Sequence, residues 1–182
     1  MLSVRRKLYS WVERAALATG GHHAGAVRGW SADRRLVFVC TGNICRSPYA
    51  DWLARSRGLS AISAGIDTTP GLPADPSAIA EATARGIDLS AHRTRRWNDV
   101  DLRPSDIVIA TQLSHAHATK ARAGERGVPV IMMSSLLPRF EIVWDPYGRP
   151  RDAFVYAFDL VDRAIDEIER LGRAARQRAA HE

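Results

Sequence analysis

Cysteine is scarce in this chain of 182 residues: only Cys40 and Cys45 occur. Two thiols so close together cannot build a disulfide framework. A zinc site would need two further ligands, and no Cys or His pair stands at a usual spacing to supply them, so no metal is expected. Long apolar runs are also missing; none reaches the length needed to span a bilayer. With no secretory apolar stretch either, a reducing cytoplasm is the expected location. Internal repeats and low-complexity segments are absent. What is present is an ordinary globular composition, 46% hydrophobic, on a length that suits one domain plus an appendage.

The net charge of +6 is unevenly spread. Residues 1–35 hold Arg5, Arg6, Lys7, Arg14, Arg28, Arg34 and Arg35 against Glu13 and Asp33, leaving close to neutrality for the rest. A basic excess of this size would suit nucleic acid, but it lies in an extension and the body carries no nucleic-acid motif, so nucleic acid is not an expected partner. Leu2, Val4, Leu8, Trp11, Val12, Ala15 and Ala16 recur near helical spacing between basic residues. Residues 1–19 thus suit peripheral contact with an anionic membrane surface, or docking on the chain's own domain. Gly20-Gly-His-His-Ala-Gly25 reads as a linker. The expected division is a basic amphipathic extension and linker over 1–34 and a globular domain over 35–182.

From Leu36 onward strands and helices alternate. Apolar runs predict strands at 36–39, 61–64, 106–110 and 128–132. Helices are predicted near 48–57, 77–85, 114–123 and 152–176, with a Pro/Gly-rich loop at 66–76 and an irregular stretch before Pro150. Units of this kind predict an α/β fold, a parallel sheet with helices on both faces. Ligands in such sheets bind beyond the carboxyl ends of the strands.

One strand end carries chemistry. Leu36-Val-Phe-Val-Cys40-Thr41-Gly42-Asn43-Ile44-Cys45-Arg46-Ser47-Pro48 runs from a buried-type strand through a thiol and a glycine-bearing loop to an arginine, a serine and a helix-opening proline. Backbone N–H groups of such a loop can converge on an anion, and the helix start adds its positive end. Gly42 and Asn43 tolerate the left-handed conformations such a loop requires. Arg46 brings a planar fork that can hold two phosphate oxygens. The same field favours the Cys40 thiolate, which is the nucleophile. Attack on a phosphate ester then needs a proton donor for the leaving oxygen. Cys45 is read either as a thiol that traps oxidised Cys40 as a disulfide or as packing behind the loop.

Val39-Cys40-Thr41-Gly42-Asn43-Ile44-Cys45-Arg46-Ser47-Pro48 resembles the signature V-C-x-G-N-I-C-R-S-P of the low-molecular-weight protein tyrosine phosphatases. The resemblance covers about residues 35–172. It implies a four-stranded parallel sheet in the order 2-1-3-4, no cofactor, and hydrolysis of phosphotyrosine through phospho-Cys40. Thr41 to Cys45 would line the phosphate and Ser47 would donate to the Cys40 sulfur. In this family an Asp-Pro-aromatic motif carries the general acid, which points to Asp145 in Asp145-Pro146-Tyr147 and makes Tyr147 one wall of a cleft deep enough for phosphotyrosine. Trp144 is read as packing. Ser63 and His92 would support Asn43. Two features depart from the family: Thr111-Gln112 stands where a Met-Asp or Met-Glu pair is frequent, and the basic extension lies outside the family core.

Within the same fold, thiol-dependent arsenate reductase would need resolving cysteines beyond Cys45. Protein-arginine phosphatase resembles Thr rather than Ile44 after the loop asparagine. A non-catalytic phosphotyrosine-binding module would need neither nucleophile nor acid. The family's bacterial members often act on tyrosine kinases of surface polysaccharide synthesis, so a tyrosine-phosphorylated protein of that kind is the implied partner.

Overall fold

A computed structural model describes residues 34–139 and 141–179. All but Arg34 of the expected extension, including its amphipathic segment and linker, lies outside them. Four parallel strands form one sheet in the order β2-β1-β3-β4. They are β1 (Leu36–Cys40), β2 (Ala61–Gly65), β3 (Ile107–Ala110) and β4 (Val130–Met132). Four α-helices join and follow them: α1 (Arg46–Ser56), α2 (Pro76–Ala84), α3 (Leu113–Glu125) and α4 (Arg151–Ala179). The α/β architecture and strand order are those expected.

The central strand β1 pairs Leu36 with Ala61 and Ile107, and Cys40 with Gly65. Every residue of β1 is buried, as it must be in a parallel sheet covered on both faces. Alternate side chains point to opposite layers. Leu36, Phe38, Ile107, Ile109 and Ile131 face a core with α1, α2 and α4, whereas Val37, Val39 and Val108 face Trp97, Val100, Leu102 and Ala123. Helix α4 contributes Phe154, Ala157, Phe158, Val161, Ala164, Ile165 and Ile168, a stripe at three- and four-residue steps. Tyr49 of α1 stacks on Phe158 at 3.9 Å between ring centroids and locks the two helices together.

The boundaries differ from the sequence expectation where tertiary contacts decide. Helix α1 begins at Arg46, two residues before Pro48. Proline is accommodated there because N–H groups in a first helical turn have no intrahelical acceptor. The fourth strand is shorter than expected, beginning at Val130. Two 3₁₀ turns, Trp97–Asp99 and Met133–Leu136, were not foreseen. Helix α2 has a cap legible in the sequence: Asp75 accepts from the N–H groups of Ser77 and Ala78, with Pro76 in the first turn.

Candidate active site

The end of β1 delivers Cys40 to the carboxyl edge of the sheet, and six residues later α1 begins. The Cys40–Arg46 segment therefore curls over the start of α1. It rests directly on Gly65, the last residue of the neighbouring strand. A Cβ there would stand 2.7 Å from the Thr41 carbonyl oxygen and 3.0 Å from the Asn43 nitrogen. Only a residue without a side chain lets the loop lie so close. The Asp67 N–H donates to the same Thr41 carbonyl at 3.0 Å.

Asn43 has φ = 54°, the one positive φ of a non-glycine residue among the described residues. Strain of this kind persists only where the surroundings over-determine it. Three contacts do so. The Asn43 amide donates to Ser47 Oγ at 2.9 Å and its Oδ1 accepts from the Arg95 N–H at 2.9 Å. His92 Nε2 lies 2.8 Å from the Asn43 carbonyl, which can only accept, so the proton sits on Nε2. Burial holds His92 below the ordinary imidazole value. Gly42, expected to share the left-handed role, has no positive φ; its Cβ would meet only Ile44 of the loop itself, at 3.4 Å. The expected contact of Ser63 with Asn43 is corrected: Ser63 Oγ donates instead to the buried Asp51 Oδ2 at 3.0 Å.

Cys40 is buried, and its Sγ is 3.0 Å from Ser47 Oγ. The Asn43 amide occupies one lone pair of that hydroxyl. Its proton is left to choose between the sulfur and the Ala64 carbonyl at 3.4 Å; the shorter contact favours donation to the Cys40 sulfur. Cys45 sits in the main core, and burial raises its thiol far above the ordinary value. A thiol so reluctant to ionise is a poor resolving nucleophile, which favours the packing role.

Arg46 is almost fully buried, and its guanidinium is held on one side and open on the other. Nη1 donates to Gln112 Oε1 at 2.9 Å and to the Val143 carbonyl at 3.1 Å. Nη2 meets Asp145 Oδ2 at 3.1 Å. Nε is buried and has no partner among the described residues. A buried donor of this kind suits an anionic ligand, because leaving it unpaired is costly. The loop from Cys40 to Arg46 floors a cavity of about 320 Å³. Asp67, Thr68, Thr69, Leu72, Asp145 and Tyr147 complete its lining. Leu72 and Tyr147 are both exposed where they line it. Trp144 lines a neighbouring cavity on the far side of Asp145.

Of the sequence-predicted residues, Cys40, Thr41, Gly42, Ile44, Cys45, Arg46, Asp145 and Tyr147 come together around this cavity. Asn43, Ser47 and His92 lie directly behind it, with Ser63 one step further. Sequence reasoning missed the roles of Gly65, Asp51, His115 and Leu72. Gln112 was visible only as a departure from a pattern, yet it touches Arg46. No group of His, Cys, Asp and Glu among the described residues could hold a metal ion.

The low molecular weight phosphotyrosine protein phosphatase family matches residues 35–177. The probable low molecular weight protein-tyrosine-phosphatase EpsP of Ralstonia nicotianae is 33% identical over 135 residues, spanning 73% of this chain and 92% of its own. The crystal structure of a low molecular weight protein tyrosine phosphatase from T. tengcongensis superposes with a TM-score of 0.68 at 30% identity, covering 76% of this chain and 99% of that one. The YwlE arginine phosphatase from Geobacillus stearothermophilus gives a TM-score of 0.68 at 25% identity, covering 81% and 97%. A Cys40–Arg46 loop on a 2-1-3-4 sheet, matched over nearly the whole described chain, leaves one assignment: this enzyme belongs to the low molecular weight protein-tyrosine-phosphatases.

Proposed function

We propose that the enzyme hydrolyses phosphotyrosine in proteins through a phosphocysteine intermediate, without metal or cofactor. Arg46 Nε, and Nη2 once released from Asp145, form the fork that takes two phosphate oxygens. The Cys40 thiolate attacks phosphorus, forming S–P and breaking the P–O bond to the tyrosine ring. Asp145 protonates the departing phenolate. In the second step the Asp145 carboxylate takes a proton from water. The water oxygen attacks phosphorus, the P–S bond breaks and the thiolate is restored with Ser47 as its hydrogen-bond donor.

The observation that carries this reading is the shared guanidinium. A single buried arginine ends the loop that begins with the thiol, and it holds the Asp145 carboxylate 3.1 Å away. The apolar lining of Ile44, Leu72 and Tyr147 suits an aryl ring more than a flexible alkyl phosphate. By the same family resemblance, the partner is a tyrosine-phosphorylated protein, such as an autophosphorylated kinase of surface polysaccharide synthesis, met in the cytoplasm or at its membrane face through residues 1–19. The test is turnover of phosphotyrosine, phosphoserine and phosphoarginine peptides by one preparation. Phosphotyrosine should be hydrolysed fastest. Preference for phosphoarginine would transfer the assignment to the YwlE-like activity.

A further inference from the structure

Helix α3 starts beside the phosphate loop, and its first turn touches the loop at both ends. At one end Gln112, the residue before the helix, accepts from Arg46 Nη1. At the other end stands His115. Its Nε2 is 2.9 Å from Thr41 Oγ1 and its Nδ1 is 3.0 Å from Thr111 Oγ1. The ring is buried. Thr119 Oγ1, one turn further on, donates to the His115 carbonyl at 2.9 Å. The imidazole thus bridges the end of β3 to the residue that follows the nucleophile.

We propose that His115 is a positioning residue for the phosphate loop: a neutral imidazole strut between Thr111 and Thr41 that fixes the start of the loop while Gln112 fixes its arginine. This rests on the reading that the Cys40–Arg46 loop binds phosphate. A neutral imidazole offers one N–H and one lone pair, and a hydroxyl can answer either. Thr111 and Thr41 therefore satisfy both ring nitrogens in whichever tautomer is present. Burial and the nearby Arg46 guanidinium push the ring down to about 3, so the strut keeps one protonation state wherever the thiolate chemistry operates. The Thr41 side chain is held by His115 and its carbonyl by the Asp67 N–H, with Gly65 beneath. Thr41 lines the cavity, so a loose Thr41 would misplace the cradle by the fraction of an ångström that matters in a preorganised site.

Three substitutions separate the strut from simple packing. His115→Gln can place a polar atom near the former Nε2 and keep the Thr41 contact. His115→Asn can reach only Thr111. His115→Phe keeps bulk and loses both contacts. The readouts are inorganic phosphate affinity, the pH midpoint of Cys40 alkylation by iodoacetate, and kcat and KM on a small aryl phosphate. His115→Phe and His115→Asn should weaken phosphate about tenfold, the scale of a lost buried hydrogen bond, and move the alkylation midpoint upward. His115→Gln should stay near wild type in both. Thr41→Val combined with His115→Phe should cost no more than the larger single change. Gln behaving like Asn and Phe, or losses that multiply in the double variant, would overturn the strut. If His115→Phe does not fold, the Gln–Asn pair and Thr41→Val decide it alone. Wild type that binds phosphate yet turns over no phosphotyrosine would remove the substrate assignment, and the phosphate and alkylation readouts would still decide the strut.

Discussion

Replacing Asp145 by Asn should move two measurable quantities in opposite directions. In the resting enzyme the Asp145 carboxylate competes with an incoming phosphate for Arg46 Nη2, at 3.1 Å. Its own side chain is 46% exposed, whereas Arg46 is 1% exposed. A pair with one end in water is worth about 0.5–1 kcal/mol. Removing that competition should tighten inorganic phosphate by about two- to fivefold at pH 7. In the chemical step the loss is larger and of the other sign: a positioned general acid contributes about 10²–10⁴-fold. The acid matters most for a poor leaving group, so phenyl phosphate should lose nearly that whole factor while p-nitrophenyl phosphate loses much less. Steady-state kcat on the two esters, with phosphate as competitive inhibitor, measures all three numbers on one preparation. Weaker phosphate inhibition in Asp145→Asn, or equal losses on both esters, would refute the acid role and leave Asp145 as a structural partner of Arg46.

The remaining expectations concern the loop and its surroundings. Cys40→Ser should abolish turnover while inorganic phosphate still binds, and Arg46→Lys should be severely impaired because a point charge cannot replace a fork already held by Gln112 and Val143; full activity in either variant would end the proposed mechanism. Gly65→Ala places a Cβ 2.7 Å from the Thr41 carbonyl, so it should keep the fold, by circular dichroism, and lose at least about tenfold in kcat/KM through a displaced loop. Deleting residues 1–34 should leave turnover of a small ester intact and remove salt-sensitive binding to anionic vesicles; a full-length enzyme that ignores such vesicles at low salt excludes a lipid tether.

Much of this architecture is legible in the sequence because it rests on local pattern. The fully apolar run Leu36–Val39 could only be a strand buried on both faces, and Gly-Asn followed by Arg-Ser-Pro marks a loop opening a helix. Asp145 is legible because Asp-Pro-aromatic sits at a known place in the chain order. The missed residues are tertiary. Gln112 meets Arg46 across 66 positions and His115 meets Thr41 across 74, distances over which no periodicity speaks. His115 and His117 stand two residues apart in α3, and only the fold shows that His115 is the one turned toward the loop. Gly65 reads as a strand end until the loop is seen lying on it. Ser63 is the instructive correction: it was expected to support Asn43, but its hydroxyl goes to Asp51, since Ser47 and the Arg95 N–H already engage the Asn43 side chain.

That correction leaves a carboxylate with an energetic cost. Asp51 on α1 accepts from Ser63 on β2 through Oδ2, while Oδ1 is buried with no partner among the described residues. Burial raises its carboxyl from the ordinary 3.8 to about 6, against the opposing pull of the Ser63 hydrogen bond, Arg55 and Arg95. The folded state therefore holds this proton more tightly than the unfolded chain does. Well below pH 3.8 both states are protonated and Asp51 is neutral in its effect; as pH rises toward 6 the unfolded chain binds fewer protons, and stability falls by about 3 kcal/mol at most before levelling off. Asn at this position keeps an acceptor for Ser63 and has no charge to bury. Asp51→Asn should thus be more stable than wild type in urea at pH 7.5, with most of the advantage gone near pH 4. An equal difference at both pH values would mean that the carboxylate is not the burdened group. If the advantage does appear with pH, stability has been given up at the contact that ties β2 to α1 directly behind the loop, where a rigid support matters more than a deep energy minimum.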